Sequence, residues 1–347
     1  MKIIIVGAWR WAQYEQAFAR ALEANGVEVC RFSTSDFFSG WLGRVQLTIP
    51  IPGQALIRLN SAIIRYVKVE CPDVVLFWRP THILPFTLKK ISRLGIQIVS
   101  YNNDDPFGPE THGKVPWYHH FLWIWYKRCL PNYDRNFFYR KINCLEALDY
   151  GVHSADVLMP YFDPCRDRPV QLAPADQKIF NTDVVFVGHY EPDGREHRIR
   201  ALVNAGFQVK IWGGQYWSRK VLKDLYDYLQ PIVPAHGESY AKALCGAKIC
   251  LVFLSKLNRD TYTRRCFEIP ACGKAMLAER TSDLQNMFLE DEEACFFSTN
   301  AEMIEKVEWL LKNPDLREQI AQAGFRRVWA DGHDVVSRAG QFLSLIT

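Results

Sequence analysis

The chain has no run of about 18 consecutive apolar residues, so no membrane-spanning helix is expected. It has no Cys-x-x-Cys pair, and its 10 cysteines follow no regular spacing. They read as reduced, mostly buried thiols rather than a disulfide framework or a zinc site. The P-loop pattern Gly-x-x-x-x-Gly-Lys-Ser/Thr and the dinucleotide pattern Gly-x-Gly-x-x-Gly are both missing, as are Gly-x-Ser-x-Gly and His-Glu-x-x-His. Nor is there an Asp-x-Asp to carry a metal-bridged diphosphate. No metal or cofactor is therefore expected, and a phosphorylated ligand would have to be held by arginines and backbone N–H groups. An excess of one charge is lacking too: 42 basic residues face 38 acidic ones, a net +4 without long single-sign runs. That is too mild for a dedicated polyanion binder, although a local basic patch stays open.

What is present is a globular chain of 347 residues, long enough at roughly 150 per domain for two domains. Aromatics are plentiful, with 11 Trp, 15 Tyr and 21 Phe. Residues 2–6, a lysine followed by the apolar run 3–6, end in Gly7 with no cleavage site behind them and read as a buried strand rather than a signal peptide. A cytoplasmic protein is expected, with peripheral contact to the inner membrane left open. A helical pattern over 13–25 and a strand over 27–32 complete a β-α-β opening, which favours a parallel sheet. Further strands are predicted at 72–78 and 96–101, with a helix at 85–94 between them. Pro160, Pro164, Pro169 and Pro174 mark a linker region. The pattern then restarts, with strands at 183–187, 208–212, 249–254 and 275–278 and helices from 302 to the end. The reading is α/β, two Rossmann-like βα domains facing across a cleft.

Residues 258–279 carry the densest chemistry. Arg264 and Arg265 precede Glu268 at a predicted helix start, and Asp260 stands eight positions ahead of Glu268. Cations suit a diphosphate, and a carboxylate can accept from ribose hydroxyls. A surface ion pair on a short helix is the competing explanation. Residues 184–345 resemble the donor-binding half of GT-B glycosyltransferases, most closely the spore-maturation CgeB-like group. The resemblance is carried by 184–188 (VVFVG), 264–273 (RRCFEIPACG), 279–281 (ERT) and the tail 313–324; 101–107 (YNNDDPF) and 140–151 extend it more loosely to the first half. It implies a nucleoside-diphosphate sugar donor, a UDP-sugar, and an acidic-x7-Glu pair in which Glu268 holds the ribose and Asp260 the sugar. The family's first acid is more familiar as Glu. It also implies an N-terminal acceptor domain, 1–165, on which the last helix, about 333–347, packs back, and a donor domain, 166–332.

On this reading Arg264 is the main cation at the diphosphate, with Arg265, Arg195 and Arg198 as further donor-side candidates. Gly188, His189, Trp212, Gly213 and His236 stand at strand ends or turns facing the expected donor. A metal-independent, retaining transfer is implied, in which the departing phosphate takes the acceptor's proton. Inversion would need a base, for which Asp104 and Asp105 are the candidates, against a plain Asx turn before Pro106. Trp117, His119 and His120 open an aromatic-basic tract, 117–141, that is either an acceptor platform or, as the plainer reading, a helix with one face in the core. The acidic run 290–293 reads as a solvated turn. The acceptor stays open among a glycan, a lipid-linked saccharide, a protein side chain, a small metabolite and a modified nucleobase in DNA. A two-domain protein that binds nucleotide or glycan without turnover is the alternative.

Overall fold

The computed structural model describes residues 1–108, 119–214 and 216–347. It has two compact units. Unit 1 comprises Met1–Pro160, Leu257–Arg259 and Val335–Thr347; unit 2 comprises Tyr161–Lys256 and Asp260–Asp334.

Unit 1 is built on six parallel strands, β1 (Lys2–Gly7), β2 (Glu28–Ser33), β3 (Val74–Trp78), β4 (Gln97–Asn102), β5 (Arg135–Phe138) and β6 (Ala155–Val157), in the order β2-β1-β3-β4-β5-β6. The apolar runs of β1 and β3 follow from their place inside the sheet, where both faces are covered. β2, at the edge, is only partly buried and carries polar residues. The helix Gln54–Glu70 covers the sheet with Leu56, Leu59, Ile63 and Val67, which recur at helical spacing. The helix Val335–Ile346 also belongs to unit 1: Phe342 lies between Phe18 (ring centroids 5.5 Å apart) and Phe137 (5.2 Å).

Unit 2 repeats the plan with five parallel strands, β7 (Thr182–Val187), β8 (Val209–Trp212), β9 (Ala247–Val252), β10 (Ala275–Glu279) and β11 (Cys295–Phe297), in the order β11-β10-β9-β7-β8. Helices Arg195–Asn204, Arg265–Ala271, Asn300–Lys312 and Pro314–Ala330 are among those that flank them. Two parallel-sheet α/β domains are thus present.

Two expectations are corrected. The tract 117–141 is not one helix: it contains the short helices His119–Leu122 and Ile124–Cys129, the turn Leu130–Asn132 and strand β5. The acidic run is not simply solvated, because Glu290 pairs with Arg280 (2.5 Å), Asp291 with Lys306 (2.5 Å) and Glu293 with Arg327 (2.9 Å). All 10 cysteines are unpaired thiols. Among the described residues, no helix is long and apolar enough to cross a membrane.

Because Phe342 is fully buried between two rings, Phe342→Ala removes both contacts and leaves a cavity. Urea unfolding should show a loss of about 3–5 kcal/mol.

Candidate active site

In a parallel sheet, ligands collect beyond the carboxyl ends of the strands, where the strand order reverses. In unit 2 that point lies between β7 and β9. Gly188 follows β7; its N–H donates to Trp212 O (2.8 Å), and its carbonyl accepts from Trp217 Nε1 (2.8 Å). A Cβ on Gly213 would stand 2.2 Å from that carbonyl, so only glycine fits there. Glu191 ties the two strand ends together. It accepts from Ser255 Oγ (2.6 Å), just after β9, and pairs with His189 Nε2 (3.0 Å) and Arg195 (3.6 Å). Burial works against its charge, yet these partners hold its carboxyl at about 2.

Glu268 lies in the first turn of the helix Arg265–Ala271 and is 4% exposed. Oε1 accepts from Arg264 Nε (2.9 Å) and Arg166 Nη2 (2.5 Å), and Oε2 accepts from the Tyr240 hydroxyl (2.5 Å). Arg166 is also bidentate to Asp167 (2.7 and 2.9 Å) and lies over the Tyr240 ring. Burial raises the carboxyl's pKa, but the two guanidiniums and the hydroxyl outweigh it and bring Glu268 to about 2. The carboxylate expected at the ribose is therefore engaged by protein donors. Both oxygens already serve protein donors, and the carboxylate neutralises a buried cation cluster. Arg264 is corrected with it, since its guanidinium is bound to Glu268 and stacked over Tyr161 (4.7 Å) rather than presented to a diphosphate.

Arg265 is different. It is half-buried and has no carboxylate partner among the described residues, and its Nε is one of several buried polar atoms, an Arg264 nitrogen among them, for which no hydrogen bond is found among those residues. Its guanidinium lies 5.7 Å from the Phe186 ring, and a Cβ on Gly188 would stand 3.4 Å from Nη1. A buried unsatisfied donor costs about 1–3 kcal/mol, which an anionic acceptor would recover.

Other donor-side candidates turn out to hold the framework. Arg195 is 2% exposed; it binds Asp193 Oδ1 (2.8 Å) and donates to the His189 carbonyl (2.7 Å), which fixes the loop after β7. Arg198 pairs with Glu279, whose Oε2 accepts the Leu254 N–H (2.6 Å). Trp212 is buried and stacked on Phe180 (4.9 Å), a core residue rather than a base platform. His189 has an exposed ring on Glu191, and His236 is exposed at the turn into the helix Glu238–Cys245. Asp260 is half-buried, its N–H donating to Ser255 O (2.9 Å).

In unit 1, Asp105 is excluded as a base. Its Oδ1 accepts from Phe107 N (3.0 Å), Gly108 N (2.9 Å), Asn143 Nδ2 (2.9 Å) and Arg259 Nη2 (3.0 Å), and its Oδ2 from Arg259 Nε (2.5 Å). The Asx turn is present, and Arg259 completes it. Asp104 pairs with Arg79 and lines a cavity of about 360 Å³ that the sequence reading missed, together with Arg10, Trp11, Glu15 and Thr81. A usable signal existed: Arg79-Pro80-Thr81 directly follows a buried strand, just as 102–106 does. Arg166 and Tyr240 carried no comparable sequence signal. Trp117 lies outside the described residues, as do the side chains of His119 and His120.

Residues 195–344 match a family model described as glycosyl transferase-like. By sequence, no curated protein matches the chain. Among solved structures, the chain is similar to sucrose-phosphate synthase from Thermosynechococcus elongatus (TM-score 0.70, 15% identity, 100% of this chain and 98% of that one). It is also similar to HepE from Anabaena in complex with UDP-glucose (TM-score 0.67, 14% identity, 100% and 99%). A trehalose-6-phosphate synthase studied for glycosyl transfer with retention is similar too (TM-score 0.66, 12% identity, 99% and 98%). At these identities the likeness is one of fold, and that fold is GT-B.

Glu268→Gln keeps the side chain's shape but leaves Arg166 and Arg264 without their shared anion. Both pairs are nearly solvent-free, so the loss should be about 3 kcal/mol in urea at pH 7. The Arg166 and Arg264 guanidiniums and the Tyr240 hydroxyl hold the folded carboxyl at about 2, below the ordinary glutamate value of 4.5. Its stabilisation is therefore present above pH 4.5 and lost as pH falls towards 2. Melting curves across that window should be shallower for the variant than for the parent.

Proposed function

We propose that the chain is a glycosyltransferase related to the CgeB-like group. It would take a sugar from a UDP-sugar held by unit 2 and pass it to a hydroxyl acceptor on unit 1, with retention and without a metal. One observation carries this reading: a half-buried arginine, Arg265, without a carboxylate partner among the described residues, lies against a strand-end glycine at the switch point of the sheet. The match of residues 195–344 to a glycosyl transferase-like model supports it, as does the UDP-glucose named for HepE.

Cleavage of the anomeric bond leaves negative charge on the β-phosphate and positive charge on the sugar. A preorganised cation at the phosphate lowers that barrier, by about 3–4 kcal/mol for a well-aimed donor. Arg265 takes this role, and Asp260 faces the sugar hydroxyls. Retention is supported by the retaining enzyme among the fold relatives and by the saturation of Asp105, one of the two candidate bases for inversion. The departing phosphate then accepts the acceptor's proton. The pairing of Arg264 with Glu268 favours one other reading, a protein that binds the nucleotide without turnover. Release of UDP from a panel of UDP-sugars with varied acceptors separates the two; binding without release supports the second.

Arg265→Ala should weaken UDP binding at least about tenfold by calorimetry with little change in melting temperature. Arg264→Ala should do the reverse, lowering stability more than affinity. Equal affinity in parent and Arg265→Ala would overturn the assignment. Activity should survive EDTA, and the product's anomeric proton coupling should match the donor's.

A further inference from the structure

The helices Gly40–Thr48, Gln54–Glu70, Pro85–Ser92 and Ile124–Cys129 cover one face of the unit 1 sheet. Leu47, Ile63, Leu88 and Tyr126, one from each helix, pack in a single core with Val75 and Phe77 of β3, so the outward sides of all four face the same way. Neighbouring helices are also bonded together. Asn60, on the second, donates to the His82 carbonyl (3.0 Å) and accepts from Leu84 N (2.9 Å) and the Thr87 hydroxyl (2.7 Å) at the start of the third. Cys129, on the fourth, reaches the Ile83 carbonyl (3.3 Å) just before the third.

This outward surface is charged with one sign. The four helices, with Arg93 just after the third, contain nine Lys or Arg residues and one acid, so the chain, +4 as a whole, is negative outside them. The one acid, Glu70, is the last residue of its helix and is paired with Lys2 (2.8 Å). On the helix Gln54–Glu70, Arg58, Arg65 and Lys68 are exposed on the side opposite the buried Leu59, Ile63 and Val67. Lys89, Lys90 and Arg93 are exposed in the same way opposite Leu88 and Ile91. None of these six cations forms an ion pair among the described residues. Like charges held side by side repel one another, and an anionic partner relieves them.

The partner must also cover apolar groups, because large ones are interleaved with the cations. Trp41 is 73% exposed, and Ile57, Val69 and Phe86 are exposed too, with Lys90 Nζ 5.6 Å from the Phe86 ring. A second copy would bring the same charge to the same surface and be repelled. A nucleic-acid backbone would neutralise the cations but leave Trp41, Ile57 and Val69 without apolar cover. An anionic bilayer accepts both, its headgroups meeting Lys and Arg while Trp, Phe and aliphatic side chains enter the interface.

We infer that this helical face of unit 1 docks on an anionic phospholipid bilayer. The inference does not rest on the glycosyltransferase reading. The test is co-sedimentation of the full chain with vesicles of phosphatidylcholine alone and of phosphatidylcholine with roughly 30% phosphatidylglycerol. The chain should bind the second kind and not the first, and about 0.5 M salt should release it. Each cation near the surface contributes about fivefold in partitioning, so Arg58→Gln, Arg65→Gln and Lys89→Gln combined should lower binding about a hundredfold. All three side chains are exposed, so the melting temperature should be unchanged. Trp41→Ser should weaken binding about tenfold without changing the salt dependence. No binding to the anionic vesicles, equal binding to both kinds, or binding unchanged in the triple variant would overturn the inference. So would binding to a single-stranded oligouridylate or a DNA duplex tighter than to the vesicles, or vesicle binding indifferent to Trp41→Ser.

Discussion

Parallel strands covered on both faces leave polar chemistry only one place to go, their carboxyl ends. Both units obey this constraint with the same device. The first strand of each ends in a glycine across which a charged side chain lies. A Cβ on Gly7 would meet Glu15 Oε1 at 2.5 Å, and one on Gly188 would approach Arg265 Nη1 at 3.4 Å. The sign of that charge differs. Unit 1 holds a carboxyl against its glycine and unit 2 a guanidinium.

The remaining charges near these sites mostly brace the loops that carry them. Arg195 and Glu191 hold the segment after β7, Arg198 holds Glu279 at the end of β10, and Arg259 closes the turn around Asp105. Buried pairs of this kind add little net stability compared with apolar packing, but losing either partner is costly. They therefore fix geometry, whereas Arg265 has no such carboxylate partner among the described residues.

The long strands were legible because continuous apolar runs such as 3–6 and 249–254 have few alternatives. β5, β6 and β11 were not, having only four, three and three residues, too few for periodicity to register. At the site, residue types were legible and pairings were not. Arg264 stands four residues and Arg265 three residues before Glu268, and both spacings permit an ion pair, so the sequence could not tell that Arg264 takes it while Arg265 lies by Phe186. Arg166 lies 102 positions from Glu268, and Arg259 lies 154 from Asp105. Spacing along the chain carries no trace of such long-range contacts.

That pairing also sets how Arg265 is presented. A long arginine side chain has about 2 kcal/mol of rotamer entropy to lose on binding. Here part of it is lost in advance. Arg264 and Glu268 lock the first helical turn from one side, with Arg166 and Tyr240 fixing the carboxylate, while Phe186 lies under the Arg265 guanidinium. A carboxylate free to meet a ribose could not also hold that turn rigid. The buried Glu268 cluster thus fixes the helical turn from which Arg265 projects, and a cation held in this way is preorganised, the property on which electrostatic stabilisation of any anion depends.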